Sequence, residues 1–320
     1  MNSIEEYSRL IEKEILKINY PDTPKGLYEP IKYMLGIGGK RTRPLLLLLS
    51  HSLFDKDIYK SIKPALGIEI FHNFTLLHDD IMDKAPIRRG SKTVHTKWDE
   101  NTSILSGDTM LVQSYAYISS VKDRHLRDIT DLFNLTARQV CEGQQMDLDF
   151  ENRNKVSINE YMKMIEYKTA VLLGSSLKIG AINSNASKED ANHLYNFGLN
   201  LGISFQLKDD LLDAFGDAKL FGKIIGGDII SRKKTFLYLK ALELSNIDQK
   251  KMLDDCFNNS DLSHRVSSVL KIYSDLEIEK IALEKIYYYY NIAIDHLDQV
   301  KSDDKDLLYL FAKKLKDRIS

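Results

Sequence analysis

The sequence of 320 residues contains only two cysteines, Cys141 and Cys256, and they lie far apart. Because its cysteines lack the short spacing of a zinc or redox motif, the sequence excludes disulfide-stapled secreted domains and cysteine-based metal sites. We therefore expect two free thiols in a reducing compartment, and a cytoplasmic protein.

The chain also lacks long apolar runs and an excess of either charge. Its longest apolar run near the start, Leu45 to Leu49, is far shorter than the roughly 20 residues of a membrane span. The first twenty residues do not contain the uninterrupted apolar core of a signal peptide. With 45 basic and 46 acidic residues, the formal net charge is -1. These features predict no transmembrane segment and no general attraction to nucleic acid.

Proline is scarce as well, and none follows Pro86, so long helices are unobstructed in the rest of the chain. Apolar residues recur at three- and four-residue spacing, whereas Asn-Gly or Asp-Gly turns between β-branched runs are missing. The sequence therefore predicts an all-α fold. With 43% hydrophobic residues and no long linker, we expect one domain over residues 1–320. The predicted helices span residues 2–17, 26–36, 42–54, 60–83, 97–121, 125–150, 158–182, 188–215, 232–245, 261–298 and 303–318.

Acidic residues collect in two clusters with the same spacing, i, i+1 and i+4, each after an apolar helical segment. The clusters are Asp79, Asp80 and Asp83 in LLHDDIMD, and Asp209, Asp210 and Asp213 in FQLKDDLLD. A single such cluster is usually a solvated helix face, but two copies beside apolar segments favour a partly buried site. Buried carboxylates require compensating cations, and oxygen-only ligands favour Mg²⁺, which commonly shares its coordination with substrate phosphates. The clusters therefore predict a phosphate-bearing ligand.

Basic residues lie beside both clusters in the sequence. They are Lys40, Arg41 and Arg43 in GGKRTRP, Arg88 and Arg89 after the first cluster, and Lys168, Lys223 and Lys233 around the second. Glycines before Lys40 let backbone amides approach an anion, and guanidinium groups suit phosphate oxygens. Any one of these residues is most simply a surface charge, but the set as a whole supports a phosphate site.

These motifs together resemble the trans-isoprenyl diphosphate synthases, also called polyprenyl synthetases. GGKRTRP, DDIMD with RRG, GQQMDL, KT, FQLKDD with LLD, and GKIIGGD occur in family order with family-like separations over nearly the whole chain. The resemblance implies the isoprenoid synthase fold, with long helices around a deep central cavity, in a single polyprenyl synthetase domain that forms a homodimer. It also implies a prenyltransferase of isoprenoid biosynthesis, which joins isopentenyl diphosphate to an allylic diphosphate such as dimethylallyl, geranyl or farnesyl diphosphate.

The resemblance also implies roles for single residues. The six clustered aspartates are similar to the family's metal ligands, which implies three Mg²⁺ ions per active site, with Mn²⁺ able to substitute. The residues similar to those that bind the allylic diphosphate are Arg88, Lys168 and Lys223, with Lys233 completing the basic set. The residues similar to the isopentenyl diphosphate pocket are Lys40, Arg43, His72 and Arg89. Thr169 and Gln206 resemble the groups whose oxygens face the carbocation, and Gln144 with Asp147 the supporting polar set.

Product length in this family depends on what blocks the cavity beneath the first acidic cluster. Phe74 and Phe71 lie five and eight residues before Asp79, where their rings would make a floor, although both are equally well explained as ordinary core. Thr75, four residues before Asp79, is small, and this arrangement resembles that of synthases that make twenty-carbon geranylgeranyl diphosphate. We therefore expect geranylgeranyl diphosphate first and fifteen-carbon farnesyl diphosphate second.

Three other functions fit parts of the pattern. A noncatalytic partner subunit of a heteromeric prenyl synthase commonly lacks one acidic cluster, and both are intact here. A class I terpene cyclase also ionises allylic diphosphates, but it needs no second diphosphate pocket of the kind that GGK and RRG imply. A metal phosphohydrolase that uses His78 and Asp79 would need further histidines at ligand spacing, and the eight histidines do not show it.

Overall fold

A computed structural model of the protein describes residues 3–216, 226–258 and 262–317. The chain is divided into two compact units. The first comprises residues up to Asn134, Ser175–Leu194 and Lys301–Leu308, and the second comprises Leu135–Gly174, Tyr195–Val300 and the residues from Tyr309 onward. The single domain expected from the sequence stays a prediction at this point.

The described residues are mainly helical, which confirms the predicted all-α fold. Up to residue 216 the helices are α1 Ile4–Leu16, α2 Lys25–Gly36, α3 Thr42–Ser52, α4 Ile62–Met82, α5 Val94–Lys97, α6 Glu100–Ile118, α7 Asp123–Asn152, α8 Ile158–Ile165, α9 Val171–Asn183 and α10 Lys188–Phe215. From residue 226 they are α11 Gly227–Ile230, α12 Phe236–Leu244, α13 Ile247–Asn258, α14 Leu262–Asp275, α15 Ile278–Asp298 and α16 Asp306–Lys316. A short 3₁₀ helix, Ile58–Ser61, precedes α4. Among the residues described, no helix is long and apolar enough to cross a membrane.

A short β-hairpin with two residues in each strand, which the sequence did not predict, interrupts this helical pattern. Strands β1, Ile87–Arg88, and β2, Ser91–Lys92, pair antiparallel with Arg88 opposite Ser91. The turn residues Arg89 and Gly90 both have positive φ, 52° and 75°. Positive φ at both positions is typical of a type I′ turn. The hairpin was missed because Arg-Gly replaces the more familiar Asn-Gly or Asp-Gly signal.

The core of the first unit lies between α3, α4 and α6. The apolar run Leu45 to Leu49 is fully buried in α3, so it is core. Helix α4 is buried on nearly every side and packs against α6. At Gly67 the helices meet so closely that a Cβ would lie 3.0 Å from the Ile118 side chain. This contact fixes α4, whose C-terminal end carries the first acidic cluster.

The second unit has one apolar core, to which α8, α10, α12, α14 and α15 contribute buried side chains. Tyr161 from α8, Leu207 and Leu211 from α10, and Ile272 from α14 belong to this core. Leu207 and Leu211 are four residues apart, so they lie on the same side of α10. The core therefore orients α10, and with it the second acidic cluster.

Two helix predictions in the second unit are wrong. The segment 261–298, predicted as one helix, is divided into α14 and α15 at Glu277, which has φ 52°. A left-handed residue cannot continue an α-helix, and no glycine or proline marks this break in the sequence. Helix α13 and the four-residue helices α5 and α11 were not predicted at all. The remaining helices agree with the prediction to within a few residues, apart from the π-helical turn described below.

His51 of the first unit is fully buried and is hydrogen-bonded at both ring nitrogens. Its Nε2 lies 3.2 Å from the carbonyl oxygen of Asp57, and its Nδ1 lies 2.7 Å from the hydroxyl of Ser61. Since a carbonyl only accepts, Nε2 of a neutral ring donates to Asp57 and Nδ1 accepts from Ser61. The Nδ2 of Asn183 donates to the same hydroxyl at 2.7 Å. The neutral imidazole thus satisfies its partners, and the pair with Ser61 is structural.

We predict that His51 makes the protein less stable in mild acid. Burial lowers the pKa of His51, and the carboxylate of Asp55 acts in the opposite direction. Its stabilising contribution is therefore complete above the unfolded pKa of about 6.5 and is lost as the pH falls through the lower folded value. The melting temperature should fall between about pH 7.5 and 5.5, and it should fall less in His51→Gln. His264→Gln, at an exposed position of α14, should keep the wild-type pH dependence. Identical pH profiles for all three proteins would contradict this role.

Candidate active site

Both acidic clusters occupy the C-terminal ends of long helices. Asp79 and Asp80 lie in the last turn of α4, and Asp83 caps this helix through its backbone N–H, which donates to the carbonyl oxygen of Asp79 at 2.8 Å. The second cluster, Asp209 to Asp213, lies just before the end of α10. Neither helix has a basic residue in its last turn. Since the helix dipole is negative at this end, the carboxylates are unfavourable without added positive charge.

Arg88 supplies part of that charge at the first cluster. Asp80 is buried, and Nε of Arg88 donates to both of its carboxylate oxygens, at 2.8 and 2.9 Å. The Nη2 of Arg88 lies 2.8 Å from Oδ1 of Asp80. The side chain of Arg88 is itself 25% exposed, so its guanidinium is only partly enclosed. This ion pair fixes the hairpin to the end of α4.

The glycines of GGKRTRP bring a second arginine of the hairpin into contact with that segment. Gly38 and Gly39 both have positive φ, 81° and 147°. Nη1 of Arg89 donates to the carbonyl oxygen of Gly38. A Cβ at Gly39 would lie 2.6 Å from this same Nη1, which the flexible arginine could relieve, but the φ of 147° by itself favours glycine there. Lys40 follows directly on this segment and is exposed.

Arg41, the next residue, has a structural role. Its Nη1 lies 2.8 Å from Oε1 of Glu69, its Nε lies 2.8 Å from Oε1 of Glu12, and its Nη2 donates to the carbonyl oxygen of Leu35 at 2.6 Å. Both Arg41 and Glu69 are buried, with side chains 2% exposed. All three guanidinium nitrogens of Arg41 are therefore engaged within the protein.

Arg43 and His72 form a second, partly buried contact beside GGKRTRP. Nη1 of Arg43 lies 3.0 Å from Nε2 of His72. Burial, followed by the charge of Arg43 and of neighbouring arginines, lowers the pKa of His72 well below its usual value, so the neutral ring accepts this hydrogen bond. Burial lowers the pKa of Arg43 to about 10, with Glu69 opposing and Arg89 adding to the effect. Arg43 therefore stays charged at neutral pH, and among the described residues its buried Nε has no hydrogen-bond partner.

Asp210 of the second cluster is buried and accepts hydrogen bonds at both oxygens. The hydroxyl of Tyr161 donates to Oδ2, and Nε2 of Gln206 donates to Oδ1 at 3.2 Å. Burial, followed by the carboxylates of Asp228 and Asp209, raises the pKa of Asp210 to about 8, although both hydrogen bonds act in the opposite direction. Negative charge is therefore crowded at this position, and a cation would relieve it.

Asp213, the last member of the cluster, is held by the start of α11. The backbone N–H of Asp228 donates to Oδ2 of Asp213 at 2.8 Å. A Cβ on Gly227 would lie 3.0 Å from Oδ1 of Asp213, so the close approach favours glycine there. Lys233 is more exposed, and its Nζ lies 4.0 Å from Oδ1 of Asp228.

Lys168 and Thr169 lie on a π-helical turn, Glu166–Ala170, that joins α8 to α9. Two glycines allow neighbouring helices to clamp this turn. A Cβ at Gly143 of α7 would lie 2.3 Å from the backbone nitrogen of Lys168, and one at Gly202 of α10 would lie 2.7 Å from Cα of Ala170. The clamped turn aims both side chains: Nζ of Lys168 lies 2.5 Å from Oδ2 of Asp147, and the hydroxyl of Thr169 donates to Oε1 of Gln206 at 3.3 Å.

These side chains surround a cavity of about 120 Å³ in the second unit. Of the residues singled out from the sequence, its walls contain Asp147, Lys168, Thr169, Gln206, Asp210 and Lys233. Gln144 lies half-buried on α7 and does not line this cavity. Asp209 and Asp213, which are on α10, do not line it either. Lys223 lies outside the described residues. The structure thus brings most of the predicted site residues of the second unit together.

Phe71 and Phe74 pack inside the first unit, on the α4 turns before Asp79. Phe71 is fully buried and makes an edge contact with Phe133 at 5.1 Å between ring centroids. Phe74 is 7% exposed and lies 5.7 Å from Phe71 and 4.8 Å from the His78 ring. The two phenylalanines therefore form one aromatic layer below the first acidic cluster.

Known proteins are similar to this chain over most of its length. The family model described as Polyprenyl synthetase matches residues 24–276. The chain belongs to the polyprenyl synthetase family. Geranylgeranyl diphosphate synthase of Saccharolobus solfataricus is 36% identical to this polyprenyl synthetase over 310 residues, 93% of this chain and 91% of the relative. The enzyme of that name from Methanosarcina mazei is 40% identical over 222 residues, 69% of this chain and 68% of the relative.

Solved structures show the same fold. A crystal structure of a geranylgeranyl pyrophosphate synthase matches with a TM-score of 0.94 and 40% identity, covering 100% of both chains. That of geranylgeranyl pyrophosphate synthetase from Pyrococcus horikoshii Ot3 matches with a TM-score of 0.92 and 33% identity, covering 98% of this chain and 97% of the other. This polyprenyl synthetase therefore has the isoprenoid synthase fold and is a prenyltransferase.

Two residues of the candidate site of this polyprenyl synthetase, Tyr161 and Asp228, were not predicted from the sequence. Tyr161 lies seven residues before Lys168, but no sequence pattern links it to Asp210, which lies on another helix. Asp228 ends the motif GKIIGGD, in which Lys223 was the residue with a predicted role. Both line the cavity of the second unit.

Within residues 3–216, 226–258 and 262–317, no three His, Cys, Asp or Glu side chains form a ready metal site. The chemistry of the donors tests the fit to magnesium instead. Each cluster offers carboxylate oxygens only, which suit Mg²⁺. Burial, followed by neighbouring carboxylates, also raises the pKa of Asp210 to about 8, so negative charge there is unfavourable without a cation. The residues present therefore fit a hard divalent cation that shares its coordination with the phosphate oxygens of a ligand.

Proposed function

We propose that this polyprenyl synthetase condenses isopentenyl diphosphate with allylic diphosphates to make geranylgeranyl diphosphate, with farnesyl diphosphate as the second choice. The observation that carries the proposal is that each acidic cluster has a cationic side chain built in beside it. Arg88 pairs with Asp80 in the first unit, and Lys168 shares a cavity wall with Asp210 in the second. Because one family model spans residues of both units, we further propose a single domain over residues 1–320.

The allylic diphosphate is assigned to the residues around the two clusters. We propose Arg88, Lys168, Lys223 and Lys233 as its cationic ligands, and Asp79, Asp80, Asp83, Asp209, Asp210 and Asp213 as the ligands of three Mg²⁺ ions. When bound, Mg²⁺ supplies positive charge that neutralises the diphosphate, and Mn²⁺ has the charge and oxygen preference to replace it.

Isopentenyl diphosphate is assigned to Lys40, Arg43, His72 and Arg89. The support comes from Arg43, whose charge is retained and whose buried Nε lacks a hydrogen-bond partner among the described residues. A buried donor of this kind is costly unless a ligand satisfies it. Neutral His72 holds the guanidinium without adding charge that would repel it.

The proposed reaction has three balanced steps. The allylic C–O bond breaks, and its electron pair leaves with the diphosphate. The double-bond electrons of isopentenyl diphosphate then form the new C–C bond to the allylic cation. Loss of a proton from the adjacent carbon forms a new double bond, and the departing diphosphate takes up that proton. The product is five carbons longer than the allylic substrate.

The protein lowers the activation barrier with cationic side chains that are already in position before the C–O bond breaks. Negative charge on the diphosphate grows as the C–O bond breaks, so Arg88 and Lys168 stabilise the transition state more than the ground state. We propose that the oxygens of Thr169 and Gln206, joined by their 3.3 Å hydrogen bond, face the allylic cation. The supporting polar set is Asp147, which holds Lys168 in place at 2.5 Å, and Gln144.

The test of this proposal is product analysis with the purified chain. The protein should consume dimethylallyl, geranyl and farnesyl diphosphate only when isopentenyl diphosphate is present, and mass spectrometry should show products longer by five-carbon units. Consumption of an allylic diphosphate alone would indicate a terpene cyclase. Inactivity of the purified chain would instead favour a noncatalytic partner subunit.

We predict that Phe74→Ala lengthens the product beyond that of the wild type. Its ring lies in the aromatic layer below Asp79, and its removal would open space for a longer prenyl tail. Phe197→Ala, at another fully buried phenylalanine, is the matched control and should leave the product length unchanged. The measurement is the chain-length distribution by mass spectrometry. The same distribution in wild type and Phe74→Ala would exclude Phe74 as the floor.

The homodimer and the cytoplasmic location expected from the sequence also stay predictions. Sedimentation of the purified chain tests the first. Fluorescence imaging of a tagged chain in its host tests the second.

A further inference from the structure

Tyr161 has no role among those that the sequence motifs assign, yet it contacts Asp210 in the second unit. It is 2% exposed and contributes to the wall of the cavity that contains Lys168 and Asp210. Its hydroxyl donates to Oδ2 of Asp210. A carboxylate oxygen only accepts, so the Tyr161 hydroxyl is the donor in this contact.

The hydrogen bond from Tyr161 is one end of a chain that fixes Asp210. The other carboxylate oxygen, Oδ1, accepts from Nε2 of Gln206 at 3.2 Å. The opposite end of the Gln206 amide accepts from the hydroxyl of Thr169 at 3.3 Å. A carboxylate that is held at both oxygens keeps one orientation, whereas a carboxylate held at only one oxygen can rotate.

The Tyr161 ring is held rigidly, so it can act as a fixed point for this chain. It belongs to the apolar core with Ile165 and Leu207. Helix α8 begins with a capping box, in which the Ser157 hydroxyl accepts from the backbone of Glu160 at 3.2 Å and the Glu160 carboxylate accepts from the backbone of Ser157 at 2.8 Å. A capped helix start and a packed ring leave the hydroxyl little freedom.

We infer that Tyr161 is a positioning residue for prenyl transfer, whose hydroxyl holds the Asp210 carboxylate in the orientation that receives a divalent cation and its diphosphate. The inference rests on the proposed function, because it requires Asp210 to be a metal ligand. It extends that function by adding a residue that touches neither substrate nor metal. Loss of the Tyr161 hydroxyl should therefore act most directly on the affinity for the metal.

The decisive variant is Tyr161→Phe, which keeps the packed ring and removes only the hydroxyl. Binding of Mn²⁺ in the presence of inorganic pyrophosphate should weaken by roughly tenfold, as expected for the loss of a hydrogen bond to a charged group. The signal is the electron paramagnetic resonance of free Mn²⁺. In the transfer assay the Mg²⁺ concentration for half-maximal rate should rise by about the same factor. The KM for isopentenyl diphosphate should stay unchanged.

Tyr7→Phe is the matched control, since Tyr7 is also a tyrosine with 2% exposure but lies in the first unit. It should bind Mn²⁺ as the wild type does. Unchanged Mn²⁺ affinity in Tyr161→Phe, or a rise in the KM for isopentenyl diphosphate equal to the loss in Mn²⁺ affinity, would overturn the inference. A wild-type chain that neither binds Mn²⁺ with pyrophosphate nor transfers prenyl groups would overturn the proposed function instead, so the two failures are distinguishable.

Discussion

Asp209→Asn should lower the turnover of prenyl transfer by about 100- to 1,000-fold, and Asp79→Asn should do the same. Each substitution removes one negative charge from a cluster at the C-terminal end of a helix, where the proposed Mg²⁺ ligands are gathered. Charge on the leaving diphosphate would then be poorly stabilised in the transition state. The measurement is the steady-state rate with radiolabelled isopentenyl diphosphate at saturating substrate and Mg²⁺.

Asp131→Asn is the matched control for both cluster variants. Asp131 is an exposed residue of α7, with Oδ2 3.6 Å from Nε of Arg127 on the same helix. Its replacement should leave turnover unchanged. Melting temperatures should show that the cluster variants remain folded. Near-normal turnover in Asp209→Asn and Asp79→Asn would contradict the assignment of the clusters.

Glu69→Gln should lower the free energy of unfolding by about 3 kcal/mol. Glu69 and Arg41 are buried together with 2.8 Å between Oε1 and Nη1. Removing the negative charge leaves the buried guanidinium with Glu12, whose side chain is 44% exposed, as its remaining carboxylate partner. Removing the buried partner of a buried charge is far more costly than removing one partner of a surface ion pair. Urea denaturation, followed by circular dichroism, measures the change.

Glu189→Gln makes the same chemical change in an exposed pair. Nζ of Lys301 lies 2.9 Å from Oε2 of Glu189, but the two side chains are 73% and 64% exposed. This control should unfold at the wild-type urea concentration. Equal stability losses in Glu69→Gln and Glu189→Gln would show that burial of the Arg41 pair does not matter.

Helices with clear end signals were predictable from the sequence. Helix α10 was predicted as residues 188–215, and the structure gives Lys188–Phe215. At its start the hydroxyl of Ser187 accepts from the backbone of Asp190 at 3.0 Å, as an N-cap serine does. Helix α13 has a comparable signal that was overlooked. Asn246, the residue before the helix, and Gln249, in its first turn, exchange side-chain-to-backbone hydrogen bonds of 2.8 and 3.1 Å.

Other features depend on tertiary contacts that no local pattern reveals. GGKRTRP predicts three basic residues near an anion, but only packing decides that Arg41 turns to Glu69 and Arg43 turns to His72. In the same way, the sequence identifies Asp210 through its motif but not the buried tyrosine that holds it, because Tyr161 comes from another helix. Motif residues were thus accessible from the sequence, whereas the residues that orient them were not.

Because of the π-helical turn Glu166–Ala170, we expect this segment to tolerate substitutions better than the deletion of a residue. A π turn contains one residue more than the α-helical turn it replaces, and each residue of an α-helix turns the chain by about 100°. Deleting any single residue from 166 to 170 would restore a regular helix but rotate Lys168 or its followers away from Asp147 and Gln206. Substitutions here can be absorbed by side-chain adjustment, whereas a one-residue deletion shifts the register of everything that follows in α9.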